Sequence, residues 1–305
     1  MAPQGVKSGT VALVGRPNAG KSTLMNHLLH EKVAIVSDKP QTTRQRIVGI
    51  LSGERGQMVF YDTPGVHKPL HRLNRQMVRH AMESLIDADV VCLLVDAAQK
   101  PGAGDAYMLE VIGKAREPRV LVLNKVDLIR DKKTLLPVID RYAKSGLFAE
   151  IVPLSARTGD GADRLLDLLW DKLPEGEPLF DPELLTIHPE RFLVAERIRE
   201  KVLELTSDEL PFSTAVKIEQ WEDEEDRPFT RINATILVER PGQKKIVVGH
   251  QGQMIKAIGT AARLDLEEYL GRKVFLELFV RVEPGWREDR AVLASLDRDV
   301  DVGVE

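Results

Sequence analysis

The run Gly15-Arg-Pro-Asn-Ala-Gly-Lys-Ser22 reads G-x-x-x-x-G-K-S, directly after the apolar residues 10–14 and directly before the helix-like segment 21–29. A glycine-rich loop set between a strand and a helix turns successive backbone amides inward and adds the positive end of the helix dipole, which makes a cavity for polyphosphate. Gly15, Asn18, Ala19, Gly20, Lys21, Ser22 and Thr23 are its expected lining. Lys21 should reach the β- and γ-phosphates and Ser22 should ligate Mg²⁺.

Such a loop needs a sheet behind it, and the chain supplies one. Apolar runs near 10–14, 45–51, 57–61, 90–95, 120–123 and 151–154 alternate with amphipathic segments near 21–29, 73–86, 105–115, 134–144 and 163–173. That alternation predicts an α/β fold, a parallel sheet covered by helices, whose ligands bind at the carboxyl ends of the strands. The single cysteine, Cys92, lies inside the fourth run and reads as a core residue, so no disulfide framework forms within the chain. No apolar run approaches a membrane span and residues 1–9 lack the apolar core of a signal peptide, so a cytoplasmic protein is expected.

Further motifs fall at the predicted strand ends. Tyr61-Asp-Thr-Pro-Gly65 puts Asp62 where it can face Mg²⁺ and the Gly65 amide where it can face a γ-phosphate. Asn124-Lys-Val-Asp127 decides the base. A carboxylate at Asp127 accepts from guanine N1–H and the N2 amine, whereas adenine would leave that charge unpaired. Asn124 can bond the base or tie the loops together, the Lys125 stem can lie along the base face, and Ser155-Ala156 can turn a backbone amide toward guanine O6. GTP and GDP with Mg²⁺ are therefore the expected ligands.

These motifs in this order resemble the translation-factor-related GTPases. The resemblance makes residues 39–44 and 63–74 the two switches, with Thr43, or in second place Thr42, completing the Mg²⁺ shell when the γ-phosphate is present. The position after D-x-x-G, where Ras-like proteins carry a water-orienting glutamine, is Val66, followed by His67. GTPases with such an apolar replacement recruit a potassium ion through a loop asparagine, here Asn18, and K⁺ joins the expected cofactors on that basis. The alternative open to Asn18 is capping a turn. Lys21, Asn18, Thr43 and Gly65 are the candidate catalytic groups.

The proline- and glycine-rich residues 173–182 break the pattern, predicting a G domain over 1–175, a linker over 176–184 and a second domain over 185–296. Its expected order is helix (191–205), strand (213–221), strand (230–238), two helices (about 253–270) and strand (274–282). It contains G-x-x-G as Gly249-His250-Gln251-Gly252. The stretch 241–264 has no acidic residue but carries Lys244, Lys245, Lys256 and Arg263, a local basic stripe on a chain of net charge −4. Two glycines at a helix start let a nucleic-acid backbone approach, the scheme of an α+β type II KH domain. The acidic turn 222–226 should point away from that face.

The tandem arrangement over residues 8–296 resembles the Era family of bacterial GTPases, a Ras-like P-loop GTPase domain followed by a KH domain. Leu210-Pro-Phe-Ser213 adds to the likeness. The resemblance implies a monomer that hydrolyses GTP, binds the 3′ end of small-subunit ribosomal RNA and no DNA, acts in 30S subunit maturation, and has some peripheral membrane association. The tail 297–305 carries no such signal and is expected to be disordered. Two other readings share parts of the pattern: a tRNA-modification GTPase, which would carry modification machinery in place of a KH module, and an RNA-binding adaptor in which the nucleotide only sets conformation.

Overall fold

The structure is a computed structural model that describes residues 5–39, 42–65, 72–115, 118–206, 210, 213–224 and 226–297. The chain divides into two compact units, with the principal boundary between Ile187 and His188.

The first unit runs β1 (Lys7–Gly15), α1 (Lys21–Leu29), β2 (Ile47–Gly53), β3 (Gly56–Asp62), α2 (Arg72–Asp87), β4 (Val90–Asp96), α3 (Ala103–Ile112), β5 (Arg119–Asn124), α4 (Leu135–Ala143), β6 (Glu150–Pro153) and α5 (Ala162–Lys172). Its sheet has the order β2-β3-β1-β4-β5-β6. β1, β3, β4, β5 and β6 are parallel, and their near-continuous Val, Leu and Ile content reflects burial on both faces. Val11, Leu13, Cys92, Leu121 and Val122 are wholly inaccessible. Burial pushes the Cys92 thiol up to about 12, which keeps it inert.

The expected all-parallel sheet is corrected at one edge. β2 pairs with β3 antiparallel from Ile47↔Asp62 to Gly53↔Gly56, because a connection as short as Glu54-Arg55 can join only antiparallel neighbours. This hairpin puts the start of β2 beside Asp62, so the residues that enter β2 are delivered to the carboxyl end of β3.

Residues 176–187, which include the expected linker, run along the first unit and are tied to it. Gln57, inaccessible to solvent, donates to Phe180 O at 2.9 Å and accepts from Phe180 N at 2.8 Å. Thr186 Oγ1 donates to Val48 O, Ile50 N to Leu185 O, and Phe180 and Ile187 pack on Val48, Ile50 and Val59.

The second unit runs α6 (Glu190–Leu205), β7 (Thr214–Asp223), β8 (Phe229–Val238), α7 (Pro241–Val248), α8 (Gln253–Leu270), β9 (Lys273–Val282) and α9 (Arg290–Asp297). β8 is central, antiparallel to β7 and parallel to β9. One face of this sheet and the apolar sides of α6, α7 and α8 share a core that includes Ile198, Val202, Ile232, Ile236, Val247, Ile258 and Leu266.

The expected helix order is present, but its placement needs correction. The two helices do not share residues 253–270, which form the unbroken α8. The first of the pair is α7, ahead of the G-x-x-G, in a stretch whose Pro-Gly start resembles a turn. Pro241 in fact suits a first helical position. The Gln243 side chain accepts from the amides of Glu239 and Arg240, closing the helix start from three residues in. α9 was not expected from the sequence. Of the expected disordered tail 297–305, Asp297 closes α9 and residues 298–305 lie outside the described residues.

Replacing Gln57 with leucine would leave the half-buried Phe180 amide and carbonyl without these partners, at a cost of about 1 kcal/mol. Faster amide exchange at Phe180 and Leu185, with β4 and β5 unchanged, is the expected result. Unchanged exchange at Phe180 would show that packing alone holds the segment.

Candidate nucleotide and nucleic-acid sites

The loop 15–20 leaves β1 at the carboxyl edge of the sheet and enters α1, whose first residue, Lys21, is 5% exposed. Lys21 Nζ donates to Arg16 O at 3.3 Å. Burial lowers the Lys21 ammonium below its ordinary range and the Asp62 charge partly restores it. Asp62, at the end of β3, is wholly inaccessible. Its carboxyl is raised by burial and pulled back by Lys21, Ser22 and Thr43.

Three oxygen-bearing side chains meet here. Ser22 Oγ donates to Asp62 Oδ2 at 2.5 Å, Thr43 Oγ1 donates to the same oxygen at 3.3 Å, and the two hydroxyls lie 3.0 Å apart. Asp62 Oδ1 is buried without a hydrogen-bond partner. One carboxylate with an unused oxygen and two hydroxyls are a hard donor set that suits Mg²⁺. Among the described residues no group of three or more His, Cys, Asp or Glu side chains could hold a metal by itself, so a cation here would need further oxygens from a ligand. Thr42, by contrast, turns its hydroxyl to Lys39 O at 2.7 Å, away from this group. Pro40, Gln41, Val66 and His67 lie outside the described residues.

Two glycines explain the loop's close packing. A Cβ on Gly65 would stand 2.6 Å from Pro17 N, so the D-x-x-G turn lies directly against the phosphate loop. One on Gly20, whose φ is +94°, would meet Asn124 Nδ2 at 2.1 Å. Asn18 is exposed and left-handed at φ +62°, a conformation asparagine tolerates, so its backbone serves as a turn residue.

Asn124 takes the loop-tying role of its two predicted ones. Its amide donates to Ala19 O at 2.8 Å, and its Oδ1 accepts from the amides of Lys125 at 2.7 Å and Ala156 at 2.9 Å. The Ser155 amide is likewise engaged, by Asp160 O at 2.8 Å. The amides expected to turn toward a base oxygen are therefore both engaged within the protein, so either would have to be shared to reach a base. Asp127 is exposed on the one-turn helix Val126–Leu128 at the end of β5. Sequence reasoning missed two ion pairs. Arg16 pairs with the buried Asp105 at 3.0 Å, and Lys125 with Asp96 at 2.8 Å. The signal present was an aspartate closing the fourth apolar run, in line with Asn124.

In the second unit the G-x-x-G joins α7 to α8. Lys244, Lys245, His250, Gln251 and Lys256 are exposed. Arg263 is half-buried and pairs with Glu267 at 3.0 Å, so its charge is partly neutralised. A shallow groove beside the G-x-x-G is lined by Leu205, Gln253, Lys256, Thr260 and Leu264. The register sets the acidic turn apart from it. β9 begins at Lys273 opposite Phe229, just after the end of α8, so residues 222–224 and 226–228 sit at the opposite end of an 18-residue helix, about 26 Å away at 1.5 Å per residue. Glu225 lies outside the described residues.

Comparison with known proteins agrees with this geometry. A family model described as "50S ribosome-binding GTPase" matches residues 10–125, and one described as "KH domain" matches residues 209–287. "GTPase Era" of Geobacter metallireducens is 49% identical over 95% of this chain and 97% of its own length. That of Syntrophus aciditrophicus is 48% identical over 94% of each. The chain belongs to the Era family of GTPases. Two solved Era structures cover 95% of it. One, of the Aquifex aeolicus protein bound to GDP and AlF₄⁻, is 40% identical with a TM-score of 0.91 and is matched over 99% of its length. The other, a complex with MgGDPNP and nucleotides 1506–1542 of 16S ribosomal RNA, is 41% identical with a TM-score of 0.92 and is matched over 98%. The Ras-like fold with a following KH domain is thus the family's own.

The raised Asp62 carboxyl sets a pH dependence. A group whose folded value lies above its unfolded one stabilises fully below the ordinary carboxylate range and loses that contribution as pH rises through the folded value. Asp62→Asn is therefore expected to raise the thermal midpoint of the nucleotide-free protein near neutral pH, with a gain that shrinks on acidification. A lower midpoint at neutral pH would mean that the Ser22 and Thr43 hydrogen bonds outweigh the cost of burying the charge.

Proposed function

We propose that this protein is a GTP-hydrolysing switch whose KH domain binds the 3′ end of small-subunit ribosomal RNA, and that it acts in the cytoplasm as a maturation factor of the 30S subunit. The convergence of Ser22, Thr43 and the orphaned Asp62 Oδ1 carries the first half of this reading. The second half rests on the exposed basic stripe beside the G-x-x-G and on family membership, since an Era structure has been solved with 16S ribosomal RNA bound. Residues 1–175 serve as the G domain, 176–184 as the connection and 185–296 as the KH domain, of which residues 185–187 stay packed against the first unit. Among the described residues no helix is long and apolar enough to cross a membrane; the membrane contact proposed here is a peripheral one.

Lys21 and the amides of the loop hold the β- and γ-phosphates. Ser22, Thr43 and Asp62 hold Mg²⁺, which when bound spreads the charge that develops between those phosphates. Thr43 is the conditional member of that set, because it arrives on the segment before β2 rather than on the rigid loop. The segments 39–44 and 63–74 therefore act as the switches. The Gly65 amide faces the γ-phosphate from the side that Pro17 closes. Asp127 reads the guanine N1 and N2 edge. Asn18, an exposed residue of the phosphate loop, supplies the ligand for a potassium ion beside the phosphates.

Two experiments test the nucleotide half. Asp127→Asn exchanges an acceptor for a donor and should shift preference from GTP to xanthosine triphosphate, whereas equal GTP affinity in variant and wild type would end the base assignment. Single-turnover hydrolysis should be faster in potassium than in sodium chloride at matched ionic strength, and Asn18→Ala should remove the difference. Equal rates for the wild type would refute the cation role.

The RNA half is best tested at Gly252. A Cβ on Gly249 would meet Met254 Cβ at 2.6 Å, so substitution there disturbs the fold, while one on Gly252 meets nothing within 4 Å and its left-handed φ of +77° is one that aspartate tolerates better than most residues. Gly252→Asp should weaken single-stranded RNA binding by tenfold or more, at roughly the scale of one lost phosphate approach plus charge repulsion, and leave GTP affinity near wild type. Undiminished RNA binding would mean that the turn is structural and the RNA surface lies elsewhere.

A further inference from the structure

We propose that Asp96 is a positioning residue for the base side of the nucleotide pocket, acting by holding the Lys125 side chain in place before the nucleotide arrives. The proposal rests on the guanine-nucleotide reading above and adds a residue that no motif contains. Asp96 closes β4 in register with Asn124 on β5, and the Ala97 amide bonds Asn124 O at 2.9 Å, so the two strand ends are joined next to Lys125.

Lys125 then departs from regular backbone. Its φ of +66° is left-handed, a strained conformation for a residue with a side chain that persists only where its surroundings enforce it. The side chain is enforced as well, with its ammonium 2.8 Å from Asp96 Oδ2. Asp96 is itself fixed by its own turn. Oδ1 accepts from the Ala98 amide and Oδ2 from Gln99 Nε2, both at 3.0 Å. With the carboxylate held and 12% exposed, and the lysine 29% exposed, the pair is shielded from most solvent screening.

A free lysine has many rotamers and would lose them on binding a base. A lysine held at its tip presents its methylene stem as a preformed wall, so the ordering cost falls on folding rather than on binding. Removing the charge at Asp96 should therefore loosen the bound nucleotide without changing which base Asp127 reads. The effect should appear mainly as faster release, since affinity changes within one site reside mostly in the dissociation rate.

The test is a double-mutant cycle on the full chain, read as the dissociation rate of fluorescently labelled GDP. Asp96→Asn keeps the size of the side chain and can still accept from the Ala98 amide. It should speed release by about threefold to fivefold, the upper end of what a partly exposed charge pair contributes. Lys125→Met should do the same, the double variant should release no faster than Lys125→Met alone, and Asp96→Glu should restore slow release. Multiplying effects in the double variant would overturn the proposal, because they would mean that Asp96 acts through its turn and not through Lys125. Wild-type release rates in Asp96→Asn would overturn it too. A wild type that binds no guanine nucleotide would refute the nucleotide reading itself and this proposal with it. If Asp96→Asn folds poorly, the comparison of Asp96→Glu with Lys125→Met decides: slow release by the first and fast by the second is the expected pair, and fast release by both overturns it.

Discussion

The carboxyl edge of the first sheet depends on one side chain, the amide of Asn124. Through Ala19 O it grips the phosphate loop, through the Lys125 amide it shapes the base-reading loop, and through the Ala156 amide it holds the loop after β6. Each of those loops leaves a different strand, and loops otherwise move independently. A side chain with two donors and an acceptor of two lone pairs, 2% exposed, suits this task. It also dictates the glycine at position 20, because the amide passes where a Cβ would stand.

Around that node the pocket is built from charges that the protein itself only half satisfies. Asp62 receives two hydroxyls on one oxygen and none on the other, and Lys21 is buried among backbone and carboxylate. By contrast Lys125, Arg16 and Asp105 at the rim are paired. The unsatisfied groups thus lie where phosphate and cation belong, and the satisfied ones lie where geometry has to be fixed. The second unit shows a similar division. Arg263 is drawn into an ion pair with Glu267, while Lys244, Lys245 and Lys256 stand exposed next to the G-x-x-G.

The strand positions, the motifs and their placement at strand ends were legible in the sequence, because each of those features is local and the apolar runs are long. Besides α9, three features were not. The antiparallel edge needs the pairing of β2 with β3, and an apolar run reads the same in either direction. α7 was hidden by its Pro-Gly start, which signals a turn unless the reach of Gln243 back to Glu239 and Arg240 is known. The partners of Lys125 and Arg16, Asp96 and Asp105, lie far along the chain and follow only from the register of β4 against β5 and from the packing of α3.

The half-satisfied charges of Lys21 and Asp62 also affect the life of the protein in a cell. A ligand that neutralises them becomes part of the folding equilibrium, and at a hundred times its dissociation constant it adds about 2.7 kcal/mol by mass action alone. The folded fraction, and with it resistance to proteases, then follows the guanine nucleotide pool. Occupancy of the pocket is thereby coupled to the stability of the fold as well as to switching.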